Sequence, residues 1–108
     1  MARDELLRVR ASAQAEATTL ARDLEALFAA SRDSNADDEH DPEGATIGFE
    51  RAQLTALLAA ARRRIAEVDD ALGRMEAGTY GVCEKCGRPI GDERLAVRPF
   101  ARFCMACA

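Results

Sequence analysis

The sequence predicts an all-α-dominated fold: a long antiparallel two-helix coiled-coil hairpin followed by a small C-terminal module held by four cysteines. Three observations carry this. Two long segments are dense in helix formers, a short polar acidic stretch separates them, and two Cys-x2-Cys pairs close the chain. A length of 108 residues suits one compact domain, but aromatic residues make up only 5% and alanine inflates the hydrophobic share. A bulky aromatic core is therefore ruled out, and a chain this small with few large side chains is expected to need a metal or a partner to stay folded.

The first helix is expected from Asp4 to about Ala30, a stretch rich in Ala, Leu, Glu and Arg without Gly or Pro. Leu20, Leu24 and Leu27 fall at steps of four and three, and Leu6, Ala13 and Ala17 extend the series backward into a narrow, alanine-lined seam. From Ser31 to Asp41, Ser, Asn and Asp side chains compete for backbone hydrogen bonds, so the chain reverses there. Asp41 followed by Pro42 reads as a capped helix start; Gly44 and Gly48 weaken the first turns, which puts firm helix from about Ile47.

The second seam is more regular: Ile47, Arg51, Leu54, Leu58, Ala61, Ile65, Val68, Leu72 and Met75 alternate steps of four and three, with Arg51 the one polar member. Such a heptad pattern predicts coiled-coil packing, and the intervening turn makes it intramolecular and antiparallel. Asp70 and Arg74 form an i,i+4 pair on the outer face, and Gly78 ends the helix in the left-handed region. At about 1.5 Å per residue, roughly 28 to 35 residues per helix gives a rod of order 40 to 50 Å. The hairpin is assigned to residues 1–78, with an acidic tip at 31–45, and the cysteine module to 79–108.

The tip, Ser31 to Ala45, holds six acidic residues against one arginine; it carries −5 of a total of −4, which leaves the remaining chain at +1. An acidic chain with a nearly neutral body offers no basic stripe for nucleic acid. Arg62, Arg63 and Arg64 are consecutive on a helix and point about 100° apart, so they do not form one either. No run of about 18 apolar residues exists for a membrane span, and the charged N-terminus is unlike a signal peptide, so a cytoplasmic protein is expected.

Cys83-x2-Cys86 and Cys104-x2-Cys107 lie seventeen residues apart, inside the spacing of four-cysteine zinc sites. In a reducing compartment this pattern favours zinc over disulfides. Four thiolates fill a tetrahedral coordination sphere and leave no position for water or substrate, so one structural zinc per chain is expected. Gly87 follows the first pair where a tight turn favours positive φ. The single histidine, His40, lies in the acidic turn, and no nucleophile stands beside an activating partner, so no enzymatic activity is expected. A zinc module that binds DNA and a thiol redox sensor are the alternatives in other functional classes.

The run Gly78-Thr79-Tyr80-Gly81-Val82-Cys83-x2-Cys86-Gly87, with Ile90, Arg94-Leu95, Arg98-Pro99 and Cys104-x2-Cys107, resembles the DksA/TraR-type zinc-finger family of bacteria. The resemblance covers Gly78 to Cys107 by specific residues and the preceding hairpin by pattern. It implies a monomeric regulator that binds bacterial RNA polymerase and inserts its hairpin into the secondary channel, without sequence-specific DNA binding. The tip residues then facing the polymerase are Asp37, Asp38, Asp41, Glu43 and Ala45, and the docking residues of the base are Arg94, Arg98 and Arg102. Counting back from Cys83 places the family's Asp-x-x-Asp-x-Ala tip signature at His40, Glu43 and Ala45, with Asp38-x-x-Asp41 nearby. Fuller members carry an N-terminal segment and a helix after the last cysteine, so a minimal base is expected here. Of three basic positions that the resemblance associates with the alarmone ppGpp, Arg98 keeps its charge, while Glu67 and Ala108 occupy the other two.

Overall fold

The computed structural model describes residues 2–33 and 42–108. Helix α1 spans Ala2–Asp33, α2 spans Pro42–Ala77 and a short α3 spans Asp92–Val97. Among the described residues there is no strand, only an isolated antiparallel bridge between Val82 and Pro89. The fold is the expected helical hairpin followed by a small cysteine module.

Helix α1 extends beyond its expected limits at both ends. Asp4 and Glu5 occupy the first turn of α1, where carboxylates oppose the positive end of the helix dipole. Helix α2 begins at Pro42, as the Asp41–Pro42 pair indicated, and is already helical through Gly44 and Gly48, where firm helix was expected only from about Ile47. Proline at the first helical position is pre-set for helical φ, and about 1 kcal/mol per internal glycine is small beside the cooperativity of a 36-residue helix. Its other end closes at Gly78, φ +79°, where the Gly78 N–H donates to the Met75 carbonyl and the Thr79 N–H to the Arg74 carbonyl. This pair of bonds satisfies carbonyls that the last turn would otherwise leave bare.

The chain divides into two compact units, Met1–Ser12 with Arg64–Ala108, and Ala13–Arg63. In the second of these, Ala13, Ala17 and Leu20 of α1 and Leu58 and Ala61 of α2 are buried, with Leu24, Leu27 and Leu54 half-buried. These are the residues of the two heptad series. Arg51, the polar member, is exposed and sets its guanidinium 5.4 Å from the centre of the Phe28 ring, a cation-π contact.

In the first unit, Leu6 packs with Val68 and Ala71, all fully buried, and Val9, Leu72, Met75, Tyr80 and Phe100 close around them. Burying Leu6 and Val68 contributes about 1.5–3 kcal/mol each. Outside this cluster Arg10 donates to both carboxylate oxygens of Asp69, at 2.6 and 3.2 Å. A second cluster joins Cys83, Ile90 and Ala101 to Leu95, Phe103, Cys104 and Cys107. No helix among the described residues is long and apolar enough to cross a membrane.

Candidate metal centre

The first Cys-x2-Cys loop is a tight reversal. The Cys83 N–H donates to the Arg88 carbonyl at 2.8 Å, the Gly87 N–H returns to the Cys83 carbonyl at 2.9 Å, and Gly87 takes the positive φ expected of it, 75°. The second loop turns in the same manner: the Cys107 and Ala108 N–H groups both donate to the Cys104 carbonyl, at 3.0 and 2.9 Å. Short reversals of this kind turn two sulfurs of each loop toward one point.

The four sulfurs lie within 4.8 Å of one another, and Cys86 Sγ stands 3.7 Å from Cys104 Sγ. An ion with bonds of about 2.3 Å to each sulfur of a tetrahedron sets the sulfurs about 3.8 Å apart, whereas a disulfide needs about 2.05 Å. The thiol acidities point the same way. The Cys104 N–H foremost, then those of Cys86 and Lys85, hold the Cys83 thiol down at about 6 against its burial. Burial raises Cys104, but hydrogen bonds from the Cys107 thiol and N–H bring it below the ordinary thiol value. Cys107, as the proton donor to Cys104, is pushed up to about 12. Four sulfurs this close cannot all ionise alone, and a divalent cation is what allows it. Four soft donors at tetrahedral spacing fit zinc.

Polar contacts tie this site to its surroundings. The Tyr80 hydroxyl donates to the Pro99 carbonyl at 2.6 Å, and burial raises the pKa of that phenol. Arg74, in the last turn of α2, bonds Asp70 at 2.5 Å and reaches the Phe100 carbonyl at 3.4 Å. None of these partnerships beyond Asp70–Arg74 was legible as a pairing in the sequence, although Tyr80 stands inside the recognised motif.

The residues expected at the polymerase-docking base are brought together: Arg94, Arg98 and Arg102 line one groove of about 620 Å³ with Glu67, Asp70 and Ala108. Their engagements differ. Arg94 donates to the Phe103 carbonyl at 2.8 Å and to the Met105 sulfur at 3.0 Å. Arg102 binds Glu84 and lies over the Phe103 ring at 5.4 Å. Arg98 is exposed and makes no side-chain hydrogen bond or ion pair among the described residues. Of the expected tip, Asp37, Asp38 and Asp41 lie outside the described residues, as does His40. Glu43 and Ala45 stand in the first turns of α2, their side chains outside the described set.

A four-thiol metal site carried on a two-helix hairpin defines a class, the zinc-finger proteins built on a helical hairpin. A family model described as the prokaryotic dksA/traR C4-type zinc finger matches residues 78–108. The structure of transcription factor DksA2 from Pseudomonas aeruginosa is similar with a TM-score of 0.83 and 33% identity, over 98% of this chain and 76% of that one. The chain belongs to the DksA/TraR C4-type zinc-finger family. Two curated relatives match in part. RNA polymerase-binding transcription factor DksA of Caulobacter vibrioides is 52% identical over 40 residues, 37% of this chain and 28% of that protein. General stress protein 16O of Bacillus subtilis is 41% identical over 70 residues, 65% of this chain and 43% of that protein. The matches thus span less than half the length of these curated relatives.

Proposed function

We propose that this protein is a transcription regulator that binds bacterial RNA polymerase, enters the secondary channel with its hairpin, and carries one structural zinc per chain on Cys83, Cys86, Cys104 and Cys107. The observation that carries this reading is the similarity to DksA2 across 98% of the chain, hairpin and four-thiol site together. Four thiolates leave a zinc ion no open position, so the ion supplies folding free energy and no catalysis. The chain acts as a monomer and without enzymatic activity.

The proposed division of labour follows from the chemistry of the surfaces. Residues 79–108 dock, led by Arg98, whose guanidinium is exposed and without a side-chain partner among the described residues; Arg94 and Arg102 hold the finger together and present their remaining N–H donors. Residues 31–45 act. A short acidic turn has little apolar area to bury, so Asp37, Asp38, Asp41 and Glu43, with Ala45, contribute to effect more than to affinity. Their carboxylates pair with basic groups or perturb the metal ions of a polymerase active site.

The test pairs a polymerase-binding titration with in vitro transcription. Replacing the four tip carboxylates by Asn or Gln is expected to abolish the transcriptional effect while leaving Kd within a few-fold, and Arg98→Glu to weaken binding itself. Wild-type protein that does not bind polymerase at micromolar concentration, or a tip variant that regulates as well as wild type, overturns the reading.

A further inference from the structure

We infer that Glu84 is a positioning residue of the metal centre: it joins the two cysteine loops to each other and both to the last turn of α2. It stands inside the first loop, between Cys83 and Cys86. Its N–H donates to the Arg102 carbonyl at 3.0 Å, and its Oε2 accepts from Arg102 Nε and Nη2 at 3.0 and 2.7 Å. Arg102 lies two residues before Cys104, so three bonds between two residues fix the first loop against the second. The other oxygen, Oε1, faces Arg74 Nη1 at 3.8 Å, and Arg74 is itself held by Asp70. One carboxylate therefore spans loop, loop and helix.

The placement runs against simple charge. A divalent ion on four thiolates is doubly negative, and a carboxylate beside it opposes binding by Coulomb repulsion. If Glu84 acted only through its charge, removing it would tighten the metal. A clamp gives the opposite sign: without it, two loops of separate sequence lose their fixed approach, and the entropy of bringing them together returns to the unbound state. Residues that orient metal ligands without touching the metal are typically worth about 10–100-fold in affinity. Glu84 orients loops rather than single sulfurs, which places it at the lower end, about 10-fold.

The inference rests on the zinc reading proposed above, and the experiment separates the two. Zinc-loaded full-length chain is titrated with a chromophoric chelator, and amide hydrogen exchange is followed across residues 69–77. Glu84→Ala is expected to lower zinc affinity about 10-fold and to speed exchange in that turn of α2. Glu84→Gln, neutral but still an acceptor, is expected to fall between Ala and wild type. Lys85→Ala, in the same loop, is expected to match wild type. Wild-type chain that holds no zinc overturns the metal reading and this inference together. Zinc-bound wild type with a Glu84→Ala variant of equal or tighter affinity, or a Lys85→Ala variant that loosens the metal equally, overturns this inference alone.

Discussion

The two compact units are built from the same two helices yet are stabilised by different means. Among the described residues of Ala13–Arg63 the buried side chains are three alanines and two leucines, and the aromatics Phe28 and Phe49 are exposed, Phe49 at 74%. Alanine lets helices approach closely but removes little apolar area from solvent. In Met1–Ser12 with Arg64–Ala108, the finger adds Tyr80 and Phe100 to the Leu6–Val68–Ala71 cluster and supplies its own cluster around Cys83, Ile90 and Ala101. Arg74, Glu84, Arg102 and Tyr80 then bind it with charged and polar contacts. A heptad seam alone orders two helices; a third element and a metal are what give the other unit a core of larger side chains.

The largest effect that sharpens this comparison is metal removal. Chelation, or Cys104→Ser, is expected to unfold residues 79–108, because the binding free energy of a metal in such a site is its folding free energy and the segment has few apolar residues of its own. Helix in 13–63 persists. Far-UV circular dichroism that keeps most of its helical signal, beside lost amide protection in 79–108, is the expected result; unchanged protection in the finger without metal breaks the comparison.

Next in size is the seam. Leu58 is buried at 6% exposure, so Leu58→Asp places an unpaired carboxylate between the helices and costs several kcal/mol, a large share of a small domain's stability. Ile65→Asp, at a half-buried position, is expected to lower Tm less, and Arg63→Asp on an exposed face to stay within about 0.5 kcal/mol. Equal melting of all three variants contradicts the assigned face.

A smaller effect belongs to Tyr80. Tyr80→Phe keeps the ring in the Leu6–Val68–Ala71 cluster but leaves the Pro99 carbonyl without its donor, a loss of about 1 kcal/mol in a denaturant titration. A change below about 0.3 kcal/mol means that water replaces the hydroxyl without penalty.

What was legible in the sequence divides along the same line. The seams were readable residue by residue, since helical periodicity is a local signal: Leu6, Ala13, Ala17, Leu20, Leu58, Ala61 and Val68 are all buried as their spacing required. Ala71 was missed because it lies outside the alternation of four and three and is buried by the cluster that Tyr80 and Phe100 complete. The four cysteines were readable because metal geometry fixes their spacing. Glu84 was not, because its partners Arg74 and Arg102 are 10 and 18 residues away and meet it only after the finger has folded. The start of α2 was readable in the Asp41–Pro42 pair, but Gly44 and Gly48 do not delay firm helix to Ile47, because local glycine propensity is outweighed by the long helix that follows.

The smallest expected effect is electrostatic. Arg10 bonds Asp69 between α1 and α2, which holds that carboxyl below its ordinary value of 3.8, and Arg102 holds Glu84 below its ordinary 4.5. A carboxylate whose pKa is depressed on folding contributes stability that is fully present above the ordinary value and disappears as pH falls through the depressed one. Both pairs are therefore intact near neutral pH and lost in acid. The Arg10 and Asp69 side chains are 39% and 48% exposed, so solvent screens the pair, and its share is small. Protons also displace metal from thiolates, so acid alone lowers Tm for a second reason. Comparing Asp69→Asn with wild type at each pH cancels that contribution. The variant is expected to melt slightly below wild type from about pH 7 to about pH 5, with the gap closing as wild-type Asp69 protonates below its ordinary value. The gap is also expected to shrink in about 1 M salt, where the Debye length is roughly 3 Å. A difference in Tm that persists unchanged into strong acid shows that Asp69 acts through packing rather than through its charge.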